Sequence, residues 1–358
     1  MTKNKKILLA TGGTGGHIFP ALALKKTLDL EGFNTILTAD GKFAKFHPFD
    51  QRHILIPSAN FADKSILKIV KSLSSLGLGL VKSLWIMFKF KPEIVIGFGG
   101  YASYPTMLAA IIFRKKIVLH EANTVIGKVN RILLNKAQFL TTGFKIIHGV
   151  SGKYQNKVVY TGNPIRQKII LNSKKKKDKS DNFKILIIGG SQGAKIFSKI
   201  IPDAIVNLPK EVKHNLFVYQ QVKEEDIASI KQRYLKEGIG CEIKSFFDDI
   251  HNKFTQVDLV IARAGASTIS ELIEFSLPAI YIPYPSAADN HQYHNAKELE
   301  GINAAWVVKE DVNTAANILR ILKEISRNTS ILTTYSKPLD NLKQNACKNI
   351  ISLISSIV

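Results

Sequence analysis

Two glycine-rich turns constrain this chain more than any other feature. Each ends an apolar run and opens a helix-like segment. The run Lys5 to Thr11 leads into Gly12-Gly13-Thr14-Gly15-Gly16-His17, and Phe183 to Ile188 leads into Gly189-Gly190-Ser191-Gln192-Gly193-Ala194. A strand that ends in glycines and turns into a helix brings backbone N–H groups close to an anion. One such turn is a common device. Two of them, one in each half of the chain, imply two similar α/β halves with phosphate chemistry between them.

The length of 358 residues exceeds one ordinary core and favours two domains. Hydrophobic content of 45% and charged content of 22% fit a folded chain and exclude a disordered one. Cys241 and Cys347 form neither a metal spacing nor a disulfide framework, which points to a reducing, cytoplasmic compartment. Ile7 to Ala10 is too short for a signal-peptide core. The longest uncharged run, Ile94 to Phe113, is broken by Gly97, Gly99, Gly100 and Pro105 and reads as strand, loop and helix start rather than a span. The net charge of +22 leaves three partner classes: nucleic acid, an anionic membrane surface or phosphate-rich substrates. A lysine-rich composition with no partner at all is the plain alternative, and Lys174-Lys175-Lys176-Lys177 reads as a solvated linker.

Short apolar strands alternate with helical stretches throughout, the pattern of parallel βαβ units. Strands are predicted at 5–11, 33–39, 52–56, 93–97, 116–120, 138–142 and 157–161, then at 183–188, 215–219, 241–246, 257–262, 279–283 and 304–308. Many are continuous apolar runs, as expected of strands covered on both faces. The seam falls at Gly162-Asn163-Pro164 and the basic segment after it, giving domains at 1–163 and 164–340, with a helix at 341–358 packing back on the first. Between Lys64 and Lys91, Lys64, Lys68, Lys71, Lys82 and Lys89 fall within about 60° of one another on a helical wheel. Ile69, Leu73, Leu76, Leu80, Leu84, Met87 and Phe88 lie opposite, and Gly77 and Gly79 are expected to break the helix. This segment is either one or two ordinary core helices or an interfacial surface, where apolar groups meet lipid and lysines meet anionic headgroups.

Neither glycine turn fits the dinucleotide fingerprint. Thr14 and His17 stand where the first would need glycine, and Ser191 replaces the middle glycine of the second. Both therefore read as anion or sugar-phosphate cradles. His17 stands where a helix begins, a position that favours neutral imidazole, able to accept a proton from a substrate hydroxyl. A third small-residue turn, Arg263-Ala264-Gly265-Ala266-Ser267-Thr268-Ile269-Ser270-Glu271, follows the strand at 257–262, and ligands of open α/β sheets bind at such strand ends. Glu271 is either a capping-box acid three residues after Thr268 or an acceptor for both hydroxyls of a ribose. Asp289-Asn290-His291-Gln292-Tyr293-His294-Asn295 suits sugar hydroxyls. The spacing of His291 and His294 alone makes no zinc site.

Taken together these residues resemble the MurG family of peptidoglycan glycosyltransferases. The resemblance rests on seven segments in family order: Gly12–Pro20, Gly97–Pro105, His120–Gly127, Gly162–Arg166, Gly189–Ala194, Arg263–Glu271 and Asp289–Ala296. It implies the GT-B fold, two Rossmann-like parallel-sheet domains facing across a cleft, with the donor nucleotide on the second domain and a lipid acceptor on the first. It implies that Thr14, Gly15 and Gly16 approach the phosphates and that Asn123 contacts the donor sugar. Arg166, Ser191 and Phe247 would line the nucleotide pocket, with Phe247 beside the uracil. Ala266, Ser267, Thr268, Ile269, Ser270 and Glu271 would hold the diphosphate and ribose, and Gln292 the sugar hydroxyls. Ala122 and His291 stand where the family pattern has Gln, and the chain is about one residue longer near Pro285 to Ala288, which bears on sugar contacts.

The implied reaction is inverting. N-Acetylglucosamine passes from UDP-N-acetylglucosamine to the C4 hydroxyl of N-acetylmuramate in undecaprenyl-pyrophosphoryl-N-acetylmuramyl-pentapeptide, on the cytoplasmic face of an anionic inner membrane, with no cofactor, metal or nucleic acid required. His17 is the candidate base or reacting-centre residue. Two other readings remain: a UDP-sugar 2-epimerase of the same architecture, and a nucleic-acid-binding protein suggested by charge alone, against which the lysines are dispersed and no helix-turn-helix, RNP or zinc-finger pattern appears.

Overall fold

The computed structural model describes residues 5–41, 43, 52–58, 66–174 and 182–357, excepting the side chains of 66–71, 73 and 190–195. The chain divides into two compact units, Met1–Arg166 with Gln344–Val358, and Gln167–Lys343.

The first unit is built on seven parallel strands, β1 (Lys6–Ala10), β2 (Asn34–Ala39), β3 (His53–Leu55), β4 (Ile94–Gly97), β5 (Lys116–Glu121), β6 (Phe139–Thr142) and β7 (Val158–Tyr160). Their order in the sheet is β3-β2-β1-β4-β5-β6-β7. Successive side chains of a strand point to opposite faces, and β1 shows the consequence. Ile7 and Leu9 pack with Ile18, Leu24 and Leu28 of α1 (Gly15–Leu30) and with Cys347, Ile350 and Ile354 of α14 (Ala346–Ser356). Leu8 and Ala10 pack on the other face with Ile86 and Met87 of α2 (Ile66–Phe90), Met107 of α3 (Tyr104–Ile112) and Val129 and Leu133 of α4 (Lys128–Leu133). A sheet covered on both faces needs the continuous apolar strands that the sequence supplies.

The second unit repeats the plan. Its strands are β8 (Phe183–Ile188), β9 (Leu216–Gln221), β10 (Gly240–Lys244), β11 (Leu259–Ala262), β12 (Ala279–Tyr281) and β13 (Ala305–Val307), ordered β10-β9-β8-β11-β12-β13 and all parallel. Its helices are α5 (Gln167–Ser173), α6 (Gly190–Val206), α7 (Lys210–His214), α8 (Ile227–Lys236), α9 (Ile250–Phe254), α10 (Ala266–Glu274), α11 (His291–Glu300), α12 (Thr314–Arg327) and α13 (Ser330–Asp340). Phe197 and Ile201 of α6, Ile230 and Tyr234 of α8 and Ile321 of α12 join Ile185, Ile187 and Ile261 in one core. Helix α10 packs against α5 and α13, and Trp306 of β13 stacks on Tyr335 of α13 at 3.8 Å and 9°.

In each unit the strand order reverses direction beside the first strand, between β1 and β4 and between β8 and β11. Such a switch point opens a crevice at the carboxyl ends of the strands, and all three small-residue turns of the sequence stand there.

One expectation is overturned in the first unit. Helix α2 runs unbroken through Gly77 and Gly79. Gly79 is there because the helix passes close to its neighbours: a Cβ on it would lie 2.3 Å from the Pro57 carbonyl and 3.2 Å from Pro105. A second expectation changes in detail. Leu80 and Leu84 pack on the core, but Phe88 is 68% exposed and joins Leu78, Val81 and Trp85 in an exposed apolar strip beside Lys82 and Lys89. Lys64 and the side chains of Lys68 and Lys71 lie outside the described residues.

Candidate active site

At the switch point of the first unit, β1 ends and Gly12 (φ +148°) and Gly13 (φ +87°) turn the chain into α1. A side chain at Gly12 would place its Cβ 2.4 Å from the Cβ of Ala102. The Gly13 N–H donates to Oδ1 of the buried Asp40 at 3.3 Å. That contact revises the reading of this turn as a bare anion cradle, since a carboxylate already engages the Gly13 donor and repels a second anion beside it. The donors better placed for a phosphate belong to the first turn of α1, where Thr14 is the extended N-cap and its carbonyl accepts from His17 and Ile18. The N–H groups of Gly15 and Gly16 precede those bonds. Thr14 is exposed, and Gly15, Gly16 and His17 are half-buried.

The His17 ring lies against the turn that follows β4. A Cβ on Gly100 would sit 3.2 Å from His17 Nδ1 and 2.9 Å from the Gly12 carbonyl, and one on Gly99 would sit 3.6 Å from His17 Nε2. Both glycines have positive φ, +78° and +77°. The bare backbone of this turn is what allows the ring to approach it.

At the end of β5 stands a group that the sequence patterns passed over. Glu121, 3% exposed, accepts from the Asn123 N–H at 3.2 Å and the Asn123 side-chain amide at 3.4 Å through one oxygen. Through the other it accepts from the Gly127 N–H and Asn130 Nδ2, both at 2.9 Å. A buried carboxylate is tolerated only with such partners, and here they fold residues 121–130 around it and aim Asn123. His120, fully buried, contacts Thr141 Oγ1 through Nδ1 at 3.0 Å and Asn163 Oδ1 through Nε2 at 2.9 Å. Burial is the main cause of a pKa lowered from 6.5 to about 4, and the neighbouring His17 lowers it further against the opposing effect of the Asn163 bond. The ring is therefore neutral near pH 7. Arg166 is exposed, with its guanidinium 5.3 Å from the centroid of Phe19.

In the second unit, Gly265 caps the N-terminus of α10 and accepts from the Ile269 N–H. Counting from that cap, Thr268 is the third residue of the helix and Glu271 the sixth, so Glu271 is not a capping-box acid. Ala266 and Ile269 point into the core. Ser270 spends its hydroxyl on the Ala266 carbonyl at 2.8 Å. Ser267 differs, because its Oγ is buried and has no hydrogen-bond partner. A hydroxyl held without a partner at a helix N-terminus is suited to an anionic ligand that supplies one. Thr268 and Glu271 are half-buried on the same helix.

Asn295, fully buried on α11, donates to the Ala264 carbonyl at 3.2 Å and ties that helix to the turn. Gln292 accepts from the Tyr284 N–H at 2.9 Å through Oε1, which fixes its amide and leaves the NH2 group as the donor end. Phe247 is buried beneath Lys253 and Lys244, at 5.8 and 5.9 Å from its ring, whereas Phe246 is 65% exposed. The ring exposed to solvent is thus that of Phe246 and not that of Phe247. The side chain of Ser191 lies outside the described residues.

Two switch-point turns in one unit and a helix N-terminus with an unpartnered serine in the other suit the sugar-phosphate ligand of a transferase. The class is confirmed by family models: residues 7–141 match the glycosyltransferase family 28 N-terminal domain and residues 184–354 its C-terminal domain. The UDP-N-acetylglucosamine–N-acetylmuramyl-(pentapeptide) pyrophosphoryl-undecaprenol N-acetylglucosamine transferase of Rickettsia bellii is 40% identical over 99% of this chain and 100% of its own. The enzyme of the same name from the Wolbachia of Culex pipiens is 38% identical over 96% and 95%. The crystal structure of MurG from Acinetobacter baumannii superposes with a TM-score of 0.79 at 25% identity, covering 99% of this chain and all of that one. The chain belongs to the MurG family.

Proposed function

We propose that this protein transfers N-acetylglucosamine from UDP-N-acetylglucosamine to the C4 hydroxyl of N-acetylmuramate in undecaprenyl-pyrophosphoryl-N-acetylmuramyl-pentapeptide, a step of peptidoglycan synthesis. The observation that carries this reading is identity of 40% to a transferase of that name along the whole chain. In the reaction the acceptor C4 oxygen forms a bond to the anomeric carbon as the bond from that carbon to the UDP β-phosphate oxygen breaks. The proton of the C4 hydroxyl leaves to a base, and the electron pair of the broken bond goes to UDP. A single displacement of this kind converts an α-linked donor into a β-linked product.

The division of labour follows from the chemistry each unit offers. The N-terminus of α10 and Ser267 face the charge that develops on the leaving diphosphate, the place where preoriented donors lower a barrier most. Glu271 takes the ribose hydroxyls, Gln292 donates to the N-acetylglucosamine, and Phe246 meets the uracil. In the first unit His17 accepts the proton of the C4 hydroxyl. Neutral His120 behind it adds no competing cation, and the Glu121-anchored loop presents Asn123 to the sugar.

The exposed strip of Leu78, Val81, Trp85 and Phe88, 56–68% exposed, lies beside Lys82 and Lys89. Among the described residues no helix is long and apolar enough to cross a membrane. An apolar strip flanked by lysines suits the surface of an anionic bilayer without spanning it, and this supports a peripheral position on the cytoplasmic face, beside a lipid acceptor.

The test is transfer of radiolabelled N-acetylglucosamine from the UDP donor to a soluble analogue of the lipid acceptor, with chelator present. Labelled disaccharide product is expected. Epimerisation of the donor in a mixture lacking acceptor would instead favour the 2-epimerase reading.

A further inference from the structure

Arg263 is a buried cation in the middle of the donor-side unit, and its surroundings give it a task that the transfer chemistry leaves unassigned. It follows the last residue of β11 and stands three positions before the first of α10. Its NH1 donates to the carbonyls of Ile282 at 3.0 Å and Pro283 at 3.2 Å, just beyond β12. The same nitrogen lies 2.5 Å from Oε2 of Glu310, beyond β13. Side-chain exposures of 10% and 18% make this an ion pair largely withdrawn from water. The guanidinium is also 4.9 Å from the ring of Phe197 on α6 and 5.4 Å from that of Tyr284. Arg263 Nε and Glu310 Oε2 are both buried without a hydrogen bond, so NH1 is anchored by its bonds to the two carbonyls and meets Glu310 as an ion pair.

We propose that Glu310 is a positioning residue for the donor site: its carboxylate holds Arg263, and the pair pins the ends of β11, β12 and β13 so that the α10 N-terminus and Gln292 keep their places. The connections are short. From Arg263 the chain passes through Ala264, whose carbonyl receives Asn295, and Gly265, the cap of α10. On the other side Tyr284 follows the two carbonyls that Arg263 holds, and its N–H orients the Gln292 amide. A buried arginine that loses its carboxylate is left with an uncompensated charge and moves toward solvent or toward another anion. Either movement pulls at the turn that launches α10. Glu310 itself comes from the β13 side and, among the described residues, joins this site through its ion pair with Arg263.

Both side chains line a cavity of about 710 Å³, and that opening makes the proposal testable by replacing the missing carboxylate. The inference rests on the transferase reading above, so the experiment begins with wild-type transfer to the soluble acceptor analogue. Absence of wild-type transfer would count against that reading, and the positioning role is judged in an enzyme that transfers. Glu310→Ala is expected to raise KM for UDP-N-acetylglucosamine roughly tenfold, with kcat and the acceptor KM changed by less than about threefold, the signature of a binding site loosened in the ground state. Sodium formate, compared with sodium chloride at equal ionic strength, is expected to lower that KM back toward wild type by supplying a carboxylate through the cavity. Glu310→Asp is expected to keep most of the donor affinity and Glu310→Gln to lose it. Wild-type donor KM in Glu310→Ala would overturn the proposal. So would an equal rise in both KM values, or the same KM in formate as in chloride. Should Glu310→Ala fail to fold, the Asp and Gln variants decide: equal donor KM values in those two would equally overturn it.

Discussion

The Nε2 of His120 lies 2.9 Å from Oδ1 of Asn163, and Nδ2 of the same amide donates to the Ala122 carbonyl at 3.0 Å. That second bond fixes which end of the amide accepts, so neutral His120 carries its proton on Nε2, and its Nδ1 shares the single hydrogen of the Thr141 hydroxyl with the Leu119 carbonyl, 3.0 and 3.1 Å away. The end of β5 and the segment leaving β7 are thereby joined through a neutral ring. A Cβ on Gly143 would lie 2.2 Å from the same Oδ1, which explains the glycine there.

This ring sets a pH dependence of stability with a definite sign. The His120 pKa is lowered from 6.5 to about 4 in the fold. Above pH 6.5 the ring is neutral folded and unfolded, and its contribution is fully present. As pH falls from 6.5 toward 4 the unfolded chain takes up a proton that the folded one refuses, and stability falls by roughly 1.4 kcal/mol per pH unit. Below about 4 both states are protonated and the loss levels off. Urea unfolding at about pH 7.5 and pH 5 is expected to show wild type losing about 2 kcal/mol more than His120→Gln, whose amide does not titrate. Parallel behaviour of the two proteins would show that the ring is not held neutral.

The contact of His17 with Gly100 predicts that two different substitutions have a common effect. His17→Ala removes the base and is expected to lower kcat by roughly 10²–10⁴ with a smaller change in donor KM. Gly100→Ala leaves His17 in place but strains a residue at φ +77° and puts a methyl 3.2 Å from Nδ1. It is expected to lower kcat by at least about tenfold at nearly unchanged donor KM. Wild-type turnover in His17→Ala would remove this histidine from the mechanism.

The sequence was legible where a single local pattern carries the structure. Continuous apolar runs gave both parallel sheets, and the glycine turns marked both switch points, because strand burial and tight turns are encoded in neighbouring residues. The parts that escaped depend on distant partners. Glu121 reads as an ordinary charged residue until Asn130 and Gly127 are seen closing on it. Asp40 sits far from the turn whose Gly13 it engages. Gly79 looks like a helix breaker until the Pro57 carbonyl is found pressed against it. The sequence left a capping-box role open for Glu271 because the cap itself, Gly265, has no side chain to announce it.

The exposed strip on α2 predicts a separation of membrane binding from catalysis. Trp85 and Phe88 are 56% and 68% exposed, and Lys89 lies 4.8 Å above the Trp85 ring. Exchanging both aromatics for Glu removes apolar area that would enter lipid and reverses charge beside the lysines. Sedimentation with vesicles containing anionic phospholipid is expected to fall at least about fivefold, while turnover on a soluble acceptor analogue stays within about twofold of wild type. Unchanged sedimentation would assign the strip another role, and an equal loss of soluble turnover would mean that the substitution damaged the fold.

Ser267 predicts a trade of stability against binding. Its Oγ is buried without a partner, so the free protein bears the desolvation of a hydroxyl and receives no hydrogen bond in return. Donor diphosphate would supply that bond. Ser267→Ala keeps the helix and removes the unpartnered group, and is expected to leave the thermal midpoint unchanged or raised. The same variant is expected to weaken donor binding by about 1–2 kcal/mol, roughly five- to thirtyfold in Kd for UDP. Calorimetric titration with UDP and a thermal melt of the same sample check both halves. A lowered midpoint with unchanged UDP affinity would place the hydroxyl in the architecture of α10 and outside the donor site. A raised midpoint with weakened affinity is the pattern of a polar group retained for its ligand at the expense of the free fold.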